Sequence, residues 1–198
     1  MNIESCIEQY VQQYRNLAQD ETSFYARQPT LSAAIKVAAS CRRADGKRHS
    51  HQRRIPEVVL DEAGRRLRAA IEELMAAKDF GTLHSVVKQT IQPVHGVGEL
   101  TVYDVALRIG AFLGLKPGVV YLHAGTRIGA AALGFSVESI KKDELPDAFA
   151  PLTEAEIEDF LCIYKDALRG NRQASSRCGD LMDTPSCFSK SAHRSRPC

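Results

Sequence analysis

Two glycines around a valine, Gly96-Val97-Gly98, separate two stretches whose apolar residues recur at helical spacing, LHSVVKQTI before them and TVYDVALRIGAFLG after. The wider run, Ile91 to Thr101, reads as the end of one helix, a tight hairpin, and the start of another. Glycine at both places permits backbone torsions and close approaches that a Cβ would block, and Val97 is free to turn inward as an anchor. N–H groups at the hairpin and in the first turn of the next helix lack an intrahelical acceptor, so a phosphate oxygen can accept from them. Contacts of that kind hold a nucleic-acid backbone without reading its bases.

The rest of the chain reads as helical as well. Ile3, Ile7, Tyr10, Val11, Tyr14 and Leu17 are spaced for one amphipathic helix over Ile3 to Ala18. A second is expected after Pro29, with Thr30 or Ser32 as its cap. Pro56 suits the first turn of a long third helix that buries Val59, Leu67, Ile71 and Leu74. Asp79 is placed to cap a fourth, and Thr153 with Glu156 three residues on forms a capping box for the last. No segment alternates with the period of a strand. An all-α fold is therefore expected, with one helical domain over 1–169. From Gly170 to Cys198 the sequence turns to Ser, Arg, Cys and Pro, and a disordered tail is expected over 170–198.

Hydrophobic residues at 44% and charged residues at 25% fit a globular domain and exclude fibrous or disordered classes for the chain as a whole. No run approaches the roughly 18 apolar residues of a membrane span. The N-terminus lacks the pattern of a secretory signal, so a cytoplasmic protein is expected. The six cysteines, Cys6, Cys41, Cys162, Cys178, Cys187 and Cys198, show no ligand spacing, so no metal site and no cofactor are expected.

The formal net charge is only +2, but its distribution is uneven. Arg42, Arg43, Lys47, Arg48, Arg53 and Arg54 stand against Asp45 alone, with His49, His51 and Gln52 among them. Gly46 gives the backbone freedom just before the run from Lys47 to Arg54. A charge run is often a solvated face; this mixture of donors also suits phosphates, sugars and base edges.

Residues Leu83 to Leu133 resemble the core of the helix-hairpin-helix DNA glycosylases. The hairpin Val94-His95-Gly96-Val97-Gly98 matches that family's L-P-G-V-G, and Val120-Tyr121-Leu122-His123 matches its V-D-x-H at the opening of another helix. The resemblance implies that Gly96 and Gly98 hold a phosphate and that His123 contacts the DNA backbone. From the residues alone, His123 reads instead as a helix cap or a core histidine. Two departures follow the same correspondence. Leu100 stands where bifunctional members carry a lysine, so no amine is available there for a Schiff base. Tyr121 replaces the usual carboxylate. The runs AIKVAAS, GKRHSHQRRI, GELTVYDVALRIG and VYLHAGTRIGA are further similar to a branch associated with hypermodified phage DNA bases, which implies a bulky modified base as substrate.

Asp104 offers a replacement for the missing carboxylate. It follows Leu100 by four residues and so projects from the same helical face. A carboxylate in a low-dielectric pocket stabilises the positive charge that builds on a sugar as its N-glycosidic bond breaks. The alternative is a surface aspartate on an amphipathic helix. The function expected is that of a monofunctional DNA glycosylase acting on a modified base of phage DNA, for instance glucosylated hydroxymethylcytosine, in antiviral defence. Its partner would be double-stranded DNA with a flipped nucleotide. Asp104 would be catalytic, with Leu100, Tyr103 and Tyr121 forming the base pocket. Gly96, Gly98, His123, Arg127, Lys47, Arg48, His49, His51, Gln52, Arg53 and Arg54 would bind DNA. The competing reading is a non-catalytic helix-hairpin-helix module of a larger assembly.

Overall fold

A computed structural model of the chain describes residues 2–170. It is mostly helical, with ten α-helices and one two-stranded antiparallel ribbon among the described residues. Except for Gly170, the tail expected over 170–198 lies outside the described residues.

Two apolar cores share the chain. The first is built from α3 (Leu31–Ala39), α4 (Glu57–Ala69), α5 (Ile71–Ala76), α6 (Phe80–Ile91) and α7 (Glu99–Leu113), around Ile35, Leu67, Leu83 and Ile109. The second joins the N-terminal α1 (Ile3–Gln13) to β1 (Val120–Tyr121), α8 (Ala124–Ala132), β2 (Ser139–Ile140), α9 (Glu154–Ile163) and α10 (Lys165–Leu168). The ribbon pairs Val120 with Ile140 and Tyr121 with Ser139.

The expected caps form. Thr30 accepts from the Ala33 N–H at 3.1 Å, Asp79 from Thr82 N–H at 2.7 Å, and Thr153 and Glu156 close their box at 3.3 and 2.8 Å. Pro56 stands just ahead of α4 as its cap.

Two expected helices are broken. The first ends at Gln13, and α2 (Arg15–Ala26) starts anew beyond Tyr14. Tyr10 and Arg15 explain the bend. Tyr10 is buried with its hydroxyl on Asp159 at 3.0 Å, and the Arg15 guanidinium grips Glu156 at 2.7 Å and the Pro151 carbonyl at 2.7 Å. Tyr10 holds α1, and Arg15 holds the first residue of α2, to the second core, while the rest of α2 crosses to pack on α7 of the first. The third helix stops at Ala70, where the backbone leaves helical torsions and α5 begins. Leu67 and Leu74 are buried as expected, and Val59 and Ile71 pack on the same core while partly exposed.

A sharp close approach seats α8 on α9. A Cβ at Gly129 would collide with the Leu161 carbonyl, so only glycine lets the two helices meet there. That contact brings the start of α8, with His123 as its cap, against the middle of α9.

Candidate functional site

Between α6 and α7 the chain makes a tight turn. Val94 N–H bonds to Ile91 carbonyl and Val97 N–H to Val94 carbonyl, each at 3.0 Å, and both valines are buried in the first core. Gly96 has φ +96, a backbone conformation that side chains rarely adopt, so it meets a real demand for glycine. Gly98 does not: its φ is −96 and a Cβ there would have open space. The freedom expected of both glycines is needed at Gly96 alone. Gly98 instead caps α7 with no side chain to accept from the first-turn N–H groups. Leu100 is partly buried in that turn. Arg127 reaches across from α8 to Glu99 at 2.9 Å, an exposed pair.

The basic loop divides into an outer and an inner part. Lys47, Arg53 and Arg54 are exposed. Arg48 donates to the Ile55 carbonyl at 2.8 Å and lies 3.7 Å from Glu57. His49 and Gln52, expected to face DNA, are 2% and 1% exposed and spend their polar atoms inside the protein. His49 Nε2 meets Glu21 and the Tyr25 hydroxyl, both at 3.0 Å. Burial lowers its pKa more than Glu21 raises it, so the ring is neutral near pH 7. A charge count along the sequence treats these two residues as surface donors; the fold uses them as fasteners.

The inner part converges on Asp104, in the second turn of α7. Its Oδ2 accepts from His51 Nε2 at 2.7 Å, from Gln52 Nε2 at 2.9 Å and from Arg108 Nη2 at 3.4 Å. Arg108 is 5% exposed, also donates to Gln52 Oε1 at 3.0 Å, and lies 5.6 Å over the Tyr25 ring. Burial on its own would raise the Asp104 carboxyl. The Arg108 charge and the His51 bond outweigh it and hold the group below the ordinary carboxylate range. Asp104 is therefore an ionised, largely buried carboxylate and not a solvated surface residue. His51 Nδ1, on the far side of the ring, is buried and has no hydrogen-bond partner.

Beside Asp104, Tyr103 is 3% exposed and its hydroxyl also lacks a partner. Its ring lies 5.7 Å from Tyr121 and 6.1 Å from His123, and Tyr121 sits 4.6 Å from His84 on α6. Tyr121 and His84 are half-buried. Burial, helped by Lys88, keeps His84 neutral near pH 7.

His123 does not reach the surface. It caps α8, is 4% exposed, and bonds through Nε2 to Glu158 of α9. The expected backbone contact from His123 is thus replaced by a buried imidazole–carboxyl pair. Glu158 and its neighbour Asp159 are each 7% exposed. Burial raises the Glu158 carboxyl above its usual range despite the counteracting His123, and Asp104 adds to the rise. On His123, burial is outweighed by the Glu158 bond, which raises the ring. The pair thus retains a shared proton beyond the ordinary carboxylate range. Asp159 is raised by burial and by Glu158.

No protein-family model matches the chain, and no curated protein or solved structure matches it either. The chemistry must therefore be read from the side chains. Asp104 and Glu158 stand on α7 and α9, one from each core, close enough for the charge of one to act on the other. Asp104 is held down by its donors while burial pushes Glu158 up, so the two carboxyl groups are shifted apart as acid–base chemistry uses them. Glu158 is absent from the sequence-based expectations. The signal that points to it is a pair of adjacent carboxylates, Glu158-Asp159, inside the apolar run IEDFLCI, where one helix cannot turn both to water while burying its neighbours. Among the described residues no group of three or more His, Cys, Asp and Glu side chains is arranged to hold a metal ion. A surface depression of about 510 Å³ is lined by Ser85, Lys88, Gln89, Gln92 and Pro93 and includes neither carboxylate.

Proposed function

We propose that the chain is a helix-hairpin-helix DNA-binding protein that acts as a monofunctional DNA glycosylase on a modified base, leaving an abasic site. The observation that carries this reading is Asp104, an ionised carboxylate on the helix that leaves the glycine hairpin, fixed by three donors, whose chain neighbour Tyr103 belongs to a ring cluster with Tyr121 and His84. DNA would lie along the hairpin and the exposed Lys47, Arg53 and Arg54. The last two lead into α4, whose Val59 lies beside the hairpin at Gly96. Backbone N–H groups of the α7 first turn and these cations would take phosphates.

With a nucleotide extruded, the aromatic rings offer stacking faces and Asp104 offers its charge to the sugar. The bond from C1′ to the base breaks, its electron pair leaves with the base, and positive character on the sugar is stabilised by the Asp104 carboxylate. Water adds at C1′ and gives its proton to His51 Nδ1, whose other nitrogen Asp104 holds. Leu100 supplies no amine, so no covalent enzyme–DNA intermediate forms. The substrate class is a bulky modified base of phage DNA, which places the protein in antiviral defence.

Duplex oligonucleotides carrying glucosylated 5-hydroxymethylcytosine, 5-hydroxymethylcytosine or uracil test the reading. Incubation followed by alkali should cut the strand at one of them, while borohydride traps no adduct. Intact strands across the panel would reject the activity. One observation favours a second reading: the same three donors also make Asp104 a brace for the loop over 41–55. In a non-catalytic DNA-binding module that brace would be its whole role.

A further inference from the structure

Tyr103 buries a hydroxyl that bonds to nothing. A buried hydroxyl without a partner is destabilising, so such a group is retained where something from outside the protein satisfies it. The charges that act on it belong to Glu158, Asp104 and Asp159, and its ring neighbours His123 at 6.1 Å. Tyr103 thus stands next to Asp104 in the chain and beside the ring of His123, which bonds to Glu158. Glu158 is itself engaged by His123 at Oε1.

We propose that Glu158 and the Tyr103 hydroxyl form the second half of the reaction centre, in which Glu158 protonates the departing base and Tyr103 hydrogen-bonds to it. The inference rests on the glycosylase reading and names the group that reading lacks, an acid for the leaving base. As the bond from C1′ to the base breaks, the base takes the electron pair and accepts the proton of the Glu158 carboxyl. The water that adds to C1′ gives its proton to His51. Glu158 regains a proton from solvent and His51 returns one to it when the products leave, so the sum is the consumption of one water. His123 holds the carboxyl in place, and Asp104 stays charged.

The groups that share this field are His123 at the cap of α8, Asp104 and Tyr103 on α7, and His51 on the loop. Asp159 on α9 adds its own carboxyl, bonded to Tyr10 of α1, and Cys162 acts on both Asp159 and His123.

Three proteins, the wild type, Glu158→Gln and Tyr103→Phe, test the assignment by single-turnover excision on the oligonucleotides above, from acid to alkaline pH, with a thermal melt of each. Glutamine can still accept from His123, so Glu158→Gln should fold. Its rate at neutral pH should drop by about 100-fold or more, and the fall in rate toward alkaline pH that marks an acid should vanish. Tyr103→Phe removes a hydroxyl with no protein partner, so its Tm should hold or rise while its rate drops about tenfold. Excision by the wild type with an unchanged rate and pH profile in Glu158→Gln would overturn the assignment and leave the glycosylase reading standing. A lowered Tm with full activity in Tyr103→Phe would overturn it too, because the hydroxyl would then be structural. No excision by the wild type would overturn both.

Discussion

Asp104 and Glu158 are the same chemistry in two settings. Asp104 is surrounded by donors, an arginine, a glutamine and a histidine, and burial there is outweighed by positive charge. Glu158 is bonded to the His123 imidazole and also feels Asp104 and the more distant His51, and burial wins. The first core supplies its carboxylate with Arg108 from α7 and with the donors His51 and Gln52 from the loop over 41–55. The second core supplies Glu158 with His123, which does not offset burial. What separates the two roles is therefore the neighbourhood each core builds, and the difference can be broken from either side.

The largest effect should come from Arg108→Met. It removes the cation that keeps Asp104 charged and leaves a buried carboxylate with an uncharged glutamine and one histidine. A loss of about 3–5 kcal/mol in urea unfolding is expected. A loss under 1 kcal/mol would mean that His51 alone suffices and that the two neighbourhoods differ less than the contacts imply.

The two carboxylates should also pull stability in opposite directions with pH. A group whose folded pKa is depressed, as at Asp104, stabilises the fold above its unfolded value and loses that as pH falls through the folded value. A group whose folded pKa is raised, as at Glu158, contributes most below its unfolded value and loses that as pH rises through the folded one. Urea midpoints should show the deficit of Asp104→Asn growing as pH rises through the acid range up to the ordinary carboxylate pKa. The deficit of Glu158→Gln should shrink as pH rises above that point. Parallel curves for the two variants would remove the contrast.

A sharper test of the binding face compares the two hairpin glycines. Gly96→Ala places a Cβ on a residue at φ +96 and should cost about 1–2 kcal/mol. Gly98→Ser has room and an extended backbone, so its hydroxyl can cap α7 and add about 0.5 kcal/mol. The same hydroxyl would occupy an N–H group meant for phosphate, so DNA binding should weaken in the more stable protein. Equal or tighter binding by Gly98→Ser would detach that helix start from DNA. The smallest effect is expected from the Arg53→Ala, Arg54→Ala double variant. Stability should be unchanged, while the slope of log K against log salt shrinks by about two units. An unchanged slope would leave both cations as solvated surface.

Much of the scaffold could be read in the sequence because its signals are local. Thr30, Asp79 and Thr153 each announce a helix within three residues, and Val97 shows by its flanking glycines that it turns inward. The breaks at Tyr14 and Ala70 carry no such mark. Tyr14 is set by Arg15 reaching Glu156, over a hundred residues away, and the segment around Ala70 has the composition of a continuous helix. The site divides the same way. Asp104 could be singled out from its spacing after Leu100, but its partners His51 and Gln52 lie in a run whose evident property is charge. Their inward turn depends on where Arg108 and Tyr25 arrive. Glu158 depends on α8 and α9 closing at Gly129, which no local pattern contains.

The central claim is that the charge on Asp104 acts on a sugar and does more than brace a loop. Its most direct measurement is the single-turnover excision rate of Asp104→Asn on modified-base duplex, taken well below the variant's Tm and beside its affinity for the same DNA. Asparagine keeps the shape and can still accept from Gln52 and Arg108, so the account predicts a folded, less stable protein that binds DNA and excises at least about 100-fold more slowly. Excision at the wild-type rate by that folded variant would contradict it and leave Asp104 as a brace.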